Sequence, residues 1–243
     1  MTPDKVHLAY TEVMIPVNAK VTLNAWHIMP TAPKARLVAV MQFHGNAENR
    51  STHFRSVAWL AEAGVDVVTF DYRGYDGSTG TPSRSGLIED GVAALKWFEQ
   101  KFPDHKRFVI GQSLGGAVSI PSIVKSGVKL DGIVLESTFH SYRGIARMKM
   151  ASAWLFWPFQ WLPWILLSGD EDPIDVASQI MVPVLGFHDR YDPVVPLEAG
   201  KLLYDALPDA TTRILISDGN FHVGAFNEDR SDARQAVLKF IGL

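Results

Sequence analysis

The sequence predicts an α/β protein built on an open, mostly parallel β-sheet with helices packed on both faces. Five short apolar runs recur along the chain, each rich in Val, Ile or Phe, and stretches with helical spacing separate them. Continuous apolar runs of this length are typical of strands covered on both faces, as in a parallel sheet. Strands that alternate with helices indicate the same architecture. Each run also ends in polar residues, and the sites of such sheets collect at the carboxyl ends of the strands.

The elements follow in order along the chain. Two early segments with rough alternation of polar and apolar residues, KVHLAYTEVMI and KVTLNAWHIM, predict an antiparallel hairpin. The runs that predict parallel strands are RLVAVMQFHG, GVDVVTFDYRG, KRFVIGQS, LDGIVLEST and MVPVLGFHD. The stretches that predict helices are STHFRSVAWLAEAG, SGLIEDGVAALKWFEQKF, LEAGKLLYDALP and DARQAVLKFIG.

Composition bounds the classes of protein that this chain can be. Its 243 residues, 47% hydrophobic and 20% charged, are typical of a globular α/β protein, and we expect residues 1–243 to form a single domain. The net charge of −3, with no basic block, argues against a nucleic-acid partner. The absence of cysteine excludes disulfides, thiolate metal sites and a cysteine nucleophile. The N-terminus, MTPDKVHLAYTEVMIPVNAK, lacks the pattern of a signal peptide, which predicts a cytoplasmic protein.

One segment, residues 139–180, interrupts the alternation of strands and helices. It is too long for a plain connection and too aromatic for an exposed loop, so we expect a cap inserted over the strand ends. Its rings, among them Trp154, Trp157 and Trp161, could form an apolar wall for an acyl chain or could pack the cap onto the body. Two prolines break the apolar run, which therefore predicts no transmembrane helix but is compatible with contact at a membrane surface.

The stretch RFVIGQSLGGAVSI holds a serine between glycines at a predicted strand-to-helix junction. No lysine follows Gly115-Gly116, which excludes a Walker phosphate loop, and the second glycine of a dinucleotide fingerprint is missing. The pattern G-x-S-x-G instead fits a nucleophile elbow, with Ser113 at a strained turn where side chains at Gly111 and Gly115 would clash. The alternative is a small-residue turn that packs a helix onto the sheet.

A serine nucleophile needs a base to take its proton and an acid to orient that base. Both kinds of residue follow Ser113 in the chain. The loop GFHDRYDPVVP offers Asp189 and Asp192 as acids, and the loop ISDGNFHVGAF offers His222 as base. A histidine just before the last predicted helix can reach back over the strand ends to Ser113, whereas the alternative is an ordinary surface histidine.

Two backbone amides are expected to face the oxyanion. The Leu114 N–H would open the helix after the elbow, and the Asn46 N–H follows the strand that ends in MQFHG. His44 has no second histidine or carboxylate at ligand spacing, so we expect it to shape its loop through hydrogen bonds. We expect no metal and no cofactor.

These motifs make the chain resemble the α/β-hydrolase superfamily over nearly all of its length. It is similar to compact serine hydrolases of the lysophospholipase-like and protein-depalmitoylase-like branch. The matching pieces are HGNAEN, DYRGY, GQSLGGA, ESTF, DRYDPVVP and the loop with His222. The resemblance implies Ser113 as nucleophile, Asp192 as acid and His222 as base. It also implies Asn46 and Leu114 as the oxyanion amides.

Two places depart from the family pattern. Family members often read R-G-Y-G-x-S where this chain has Asp76 in RGYDGS, and we expect Asp76 to tolerate a left-handed backbone there. His188 is followed by Asp189 where the family often has glycine, and we expect Asp189 to cap the turn through its own backbone.

The expected activity is hydrolysis of a carboxylic ester or thioester with an apolar acyl group, through an acyl-enzyme on Ser113. Two other classes share the fold. A peptidase or amidase of the prolyl-oligopeptidase type has the same order of catalytic residues, but such enzymes normally carry a propeller for which 243 residues leave no room. A catalytically silent binding protein is the second alternative, and the complete set of Ser113, Asp192 and His222 argues against it.

Overall fold

The computed structural model describes residues 1–31, 36–47, 49–152, 159–166 and 169–243. Within these residues, eight strands form one sheet in the order β1-β2-β4-β3-β5-β6-β7-β8. The strands are β1 (Tyr10–Pro16), β2 (Thr22–Ile28), β3 (Val38–Phe43), β4 (Asp66–Phe70), β5 (Lys106–Gln112), β6 (Gly132–Glu136), β7 (Val184–Asp189) and β8 (Thr212–Ser217). The helices are α1 (Arg50–His53), α2 (Trp59–Glu62), α3 (Arg84–Lys101), α4 (Leu114–Ser126), α5 (Tyr142–Ser152), α6 (Leu162–Leu166), α7 (Pro173–Val176), α8 (Leu197–Tyr204) and α9 (Ser231–Ile241).

The predicted hairpin is confirmed. β1 and β2 pair antiparallel, from Tyr10 opposite Ile28 to Pro16 opposite Thr22. β2 also pairs antiparallel with β4, and every neighbouring pair from β4 to β8 is parallel. The expected fold class, a mostly parallel sheet with an antiparallel start, is therefore confirmed. The strand order places β3 beside β5 at the centre, so the loops that follow these two strands meet at one edge of the sheet.

Two hydrophobic cores lie on opposite faces of the sheet. On one face α3 and α4 pack against β5, with Phe98 and Val109 fully buried. On the other face lie α9 and the segment of α1 and α2, with Phe54 and Val237 fully buried around Ile110. Neighbouring residues of β5 thus serve different cores, because successive side chains of a strand point to opposite faces. Burial on both faces explains why the parallel strands read as continuous apolar runs.

Residues 139–180, the predicted cap insertion, hold α5, α6 and α7 between β6 and β7. Trp154 and Trp157 lie outside the described residues. Trp161 is described and is 54% exposed, and Trp164 is 58% exposed, so about half of each residue faces solvent. That the segment caps a single domain stays a prediction. Within the described parts of the chain, no helix combines the length and the apolar character needed to cross a membrane.

Phe98→Ala tests the core between α3 and the sheet. Phe98 is fully buried and its ring packs edge-on against Phe102, with 5.3 Å between the ring centroids. We expect the substitution to lower the free energy of unfolding by about 3–5 kcal/mol, because it removes apolar burial and leaves a cavity. Urea unfolding followed by circular dichroism measures the change. Met181→Ala, at an 82% exposed position, is the control and should change stability by less than about 0.5 kcal/mol.

Candidate active site

Ser113 lies between β5 and α4, at the carboxyl edge of the sheet. Its backbone has φ 53° and ψ −118°, a positive φ that residues with a side chain rarely adopt. Two hydrogen bonds to β6 and the residues after it hold this conformation. The Ser113 N–H donates to the Glu136 carbonyl (2.8 Å), and the Thr138 hydroxyl donates to the Ser113 carbonyl (3.0 Å). The strained turn predicted at Ser113 is therefore present.

The glycines around Ser113 are required by close backbone contacts. A Cβ atom on Gly111 would lie 2.7 Å from the Cα of Gly116, and one on Gly115 would overlap the carbonyl oxygen of Phe43. The predicted clashes at Gly111 and Gly115 are thus confirmed. Because only glycine lets these backbones approach, the start of α4 can pack directly against the end of β3.

Three side chains from three different loops form one hydrogen-bonded chain. His222 Nε2 lies 2.9 Å from Ser113 Oγ, and His222 Nδ1 lies 2.9 and 3.1 Å from the two carboxylate oxygens of Asp192. A carboxylate can only accept, so Nδ1 carries the ring proton and Nε2 is left to accept from the serine hydroxyl. The imidazole is therefore oriented to take a proton from Ser113.

Asp192 is held as an ionised acceptor. Its side chain is fully buried, and one oxygen accepts from the backbone N–H groups of Val194 (2.8 Å) and Val195 (2.9 Å). Burial alone would raise the pKa of Asp192, but the hydrogen bonds from His222 and from these two amides outweigh it and lower the pKa below its ordinary value. Asp192 thus presents a fixed negative charge to the imidazole.

Asp189 contacts a different set of groups. Its backbone carbonyl accepts from the N–H three residues on (3.2 Å), which closes the predicted turn. Its carboxylate binds the Arg230 guanidinium through two bonds of 2.6 and 2.8 Å and accepts from the Ser217 hydroxyl and from the Phe221 N–H (3.0 Å). Burial would raise the pKa of Asp189, but the bonds from Arg230 and Ser217 lower it. Asp189 therefore holds the backbone of Phe221, the residue that precedes His222, in place.

The two amides expected to face an oxyanion belong to segments that flank Ser113. Leu114 is the first residue of α4, so its N–H has no partner within the helix. A Cβ atom on Gly45 would lie 3.6 Å from the Ser113 Cβ, so the loop that continues into Asn46 runs beside the serine. The Asn46 side-chain oxygen accepts from the Tyr75 hydroxyl (3.1 Å), which fixes this loop. The oxyanion role of both amides stays a prediction.

His44 shapes the loop before Asn46, as expected. It is fully buried, its Nδ1 lies 2.7 Å from the Gly45 carbonyl oxygen, and its ring stacks on His53 with 5.2 Å between centroids. The Tyr72 hydroxyl donates to the His44 carbonyl (3.2 Å). Among the residues that the structure describes, no group of three or more His, Cys, Asp or Glu side chains is arranged to hold a metal ion.

The expectation for Asp76 is wrong. The left-handed residues of the loop RGYDGS are Gly74 (φ 75°) and Gly77 (φ 81°), whereas Asp76 has no positive φ. The left-handed backbone of this turn is therefore adopted by the two glycines. Asp76 contributes its carbonyl oxygen, which accepts a hydrogen bond from the Arg50 guanidinium (3.0 Å).

A buried carboxylate beside the elbow was missed by the sequence reasoning. Glu136 ends β6 and is 1% exposed. Its oxygens accept from the Gln112 side-chain amide and from the Ala225 N–H, each at 2.6 Å. Burial raises the pKa of Glu136, and these two hydrogen bonds oppose the shift. The signal in the sequence was an acidic residue at the end of an otherwise apolar strand, within the piece ESTF.

The insertion contacts the site through α5. Lys149 Nζ donates to the Pro193 carbonyl (2.7 Å), next to Asp192. A cleft of about 600 Å³ lies within the insertion, and Arg143, Arg147 and Trp164 are among its lining residues. Ser113, Asp192 and His222 are not among its lining residues, so it is separate from the Ser–His–Asp chain.

Known proteins are similar to this chain in sequence and in fold. Residues 33–177 match the model of the family Hydrolase_4, described as serine aminopeptidase, S33. The chain is 33% identical over 226 residues to the uncharacterized protein YfhR of Escherichia coli O157:H7, an alignment that covers 90% of this chain and 76% of YfhR. It is 29% identical over 225 residues to the lysophosphatidylserine lipase ABHD12 of Mus musculus, covering 79% of this chain and 55% of ABHD12. The chain thus spans about half the length of the latter relative.

The structure is similar to the Pyrococcus furiosus esterase Pf2001, with a TM-score of 0.80 and 23% identity over 99% of this chain and 93% of that chain. At this identity the likeness shows the fold. The family match covers more than half of the chain, and the similarity to YfhR extends over most of both proteins. The chain therefore belongs to the Hydrolase_4 family of α/β hydrolases, described as serine aminopeptidase, S33.

Proposed function

We propose that the protein is a serine hydrolase that cleaves carboxylic esters or thioesters through an acyl-enzyme on Ser113. The observation that carries the proposal is the hydrogen-bonded chain from Ser113 through His222 to Asp192. This arrangement is what a serine needs to act as a nucleophile at neutral pH. The names of two similar proteins, an esterase and a lysophosphatidylserine lipase, support an ester as the substrate class.

In the first half of the reaction, Ser113 Oγ attacks the acyl carbonyl carbon while His222 Nε2 takes the hydroxyl proton. Asp192 stabilises the imidazolium that forms. The carbonyl oxygen becomes an oxyanion, which accepts from the N–H groups of Asn46 and Leu114. When the tetrahedral intermediate collapses, the bond to the leaving alcohol or thiol breaks and His222 returns the proton to it. The acyl group is then bonded to Ser113.

In the second half, a water molecule takes the place of the departed alcohol or thiol and attacks the acyl-enzyme. His222 Nε2 takes a proton from the water as its oxygen attacks the acyl carbonyl, and the same two amides hold the new oxyanion. Collapse breaks the bond to Ser113 Oγ, and His222 returns the proton to the serine. The products are a carboxylic acid and the free enzyme.

The exposed aromatic rings of the insertion favour a substrate with an apolar acyl group. Four large apolar side chains within residues 159–165 are exposed, namely Phe159, Trp161, Trp164 and Ile165. The Arg143 guanidinium lies over the Trp164 ring, 5.4 Å from its centroid. Exposed aromatic side chains beside a basic group suit contact with a lipid surface. Such contact would bring ester lipids to the carboxyl edge of the sheet, where Ser113 lies.

A peptidase or amidase is the second candidate, because the matching family is described as serine aminopeptidase. The same serine, histidine and aspartate would attack an amide carbonyl, and His222 would protonate the leaving amine. Aminoacyl anilides assayed beside short p-nitrophenyl esters distinguish the two activities. Turnover of the anilides with little turnover of the esters would favour the peptidase.

Ser113→Ala should abolish both ester turnover and labelling by a fluorophosphonate probe. Loss of a triad serine costs about 10⁶ in turnover in a well-studied protease. The probe is detected by intact-protein mass spectrometry and by peptide mapping, and circular dichroism checks the fold. Labelling of another residue in the variant would contradict the assignment. If the wild-type protein also fails to react with the probe and with every ester, the result would favour the alternative of a catalytically silent protein.

Asp192→Asn should affect mainly turnover, whereas Asp189→Asn should affect mainly stability. Asp192→Asn should lower turnover by about 10⁴, since it keeps the size of the side chain but favours the wrong tautomer of His222. Asp189→Asn should lower turnover by less than about tenfold and stability by about 1–3 kcal/mol, because it weakens the bonds to Arg230. Ester kinetics and thermal unfolding at pH 7 separate the two effects. The reverse ranking in turnover would assign the acid role to Asp189.

The double variant Trp161→Ala/Trp164→Ala tests the contact with lipid. We expect weaker binding to vesicles of phosphatidylcholine and phosphatidylglycerol, because the exposed rings are removed. The ratio of rates on long-chain and short-chain p-nitrophenyl esters should fall by about tenfold, a difference within the range that apolar contacts supply. Met181→Ala is the control. Equal losses at all chain lengths, or a loss of stability alone, would favour the packing role.

A further inference from the structure

We propose that Glu136 is a positioning residue that fixes the loop carrying His222 to the elbow carrying Ser113. The inference rests on the proposed function. One oxygen of Glu136 accepts from the side chain of Gln112, the residue immediately before Ser113. The other accepts from the N–H of Ala225, three residues after His222. A single buried carboxylate therefore joins the two segments whose separation sets the distance from Ser113 Oγ to His222 Nε2.

The direction of the hydrogen bonds around Glu136 is fixed by two side-chain amides on the neighbouring strands β5 and β3. Gln42 on β3 donates from Nε2 to the carbonyl oxygen of His53 (2.9 Å), which can only accept. The same Nε2 donates to Gln112 Oε1 (2.7 Å), so Gln112 must turn its own NH₂ group toward Glu136. Both oxygens of Glu136 then receive donors, which is the arrangement that a carboxylate needs.

The loop that carries His222 is held on both sides of the histidine by hydrogen bonds from its backbone to carboxylates. Before His222, the Phe221 N–H donates to Asp189, and after it the Ala225 N–H donates to Glu136. Between the two ties Val223 has φ 55°, which a β-branched residue adopts only when its surroundings hold it there. Loss of the hydrogen bond to Glu136 would let this strain relax and move His222 relative to Ser113.

Glu136 also adds negative charge near His222, and the two interact electrostatically. Asp192 binds the imidazole directly, so Glu136 is a second source of stabilisation for the imidazolium. Among the described residues, other charged or titratable groups also act on His222 or Glu136. They are His188 and Asp189 at the end of β7, Tyr204 at the end of α8, and Arg230 before α9.

Glu136→Gln tests the proposal, because it keeps the size of the side chain, removes the charge and sets an NH₂ group against one of the two donors. We expect the rate constant for fluorophosphonate labelling of Ser113 and kcat for a short-chain ester to fall by about tenfold to a hundredfold, as for a small misplacement of a catalytic group. KM should change little. The acidic limb of the kcat/KM profile should move to lower pH, since the imidazolium loses a favourable charge.

Two further variants complete the test. Glu136→Asp keeps the charge and should return the acidic limb to its wild-type position. Glu12→Gln, at an exposed position on β1, is the matched control and should leave every rate unchanged. A folded Glu136→Gln protein with labelling within about twofold of wild type and an unmoved acidic limb would overturn the proposal.

If Glu136→Gln fails to fold, Gln112→Met carries the test, because it removes one tie and keeps the carboxylate. Its labelling rate should fall severalfold, and an unchanged rate would overturn the proposal. Failure of the proposed function has a different signature, since the wild-type protein itself would then escape the probe or would cleave anilides with little turnover of esters.

Discussion

Ser113 holds a backbone conformation that costs about 1–3 kcal/mol for a residue with a side chain, and the surrounding sheet edge is shaped to maintain it. β6 and the residues that follow it supply hydrogen bonds to the serine backbone on one side. On the other side the start of α4 presses against the end of β3, an approach that Gly115 makes possible. Because β3, β5 and β6 are neighbours in the sheet, the order of the strands is itself a requirement of the elbow.

Three buried carboxylates around one imidazole have separate tasks. Asp192 orients the ring of His222, Asp189 holds the chain before it, and Glu136 holds the chain after it. Each is matched to its own donors, so none is left as an uncompensated charge in the interior. Arg230 supplies the positive partner for Asp189, whereas Glu136 relies on neutral donors alone. That difference is consistent with the lowered pKa of Asp189 and the raised pKa of Glu136.

The sheet was predictable because strands that are buried on both faces consist of continuous apolar runs. The contact between Ser113 and His222 was predictable because glycines mark the elbow and the histidine follows in a fixed order. The role of Glu136 was not, since it depends on Gln112 and Ala225, which only the folded sheet brings together. The exposure of Trp161 was not predictable either, because an aromatic-rich composition does not say which rings face water.

His222 and Ser113 are separated by 109 positions in the chain, and the loop of His222 lies between the last strand and the last helix. A chain that is still being synthesised therefore contains Ser113 long before His222 has been added. Domains form as units while elongation proceeds from the N-terminus. The hydrogen bond between Ser113 and His222 therefore cannot form until the chain has been extended beyond β8.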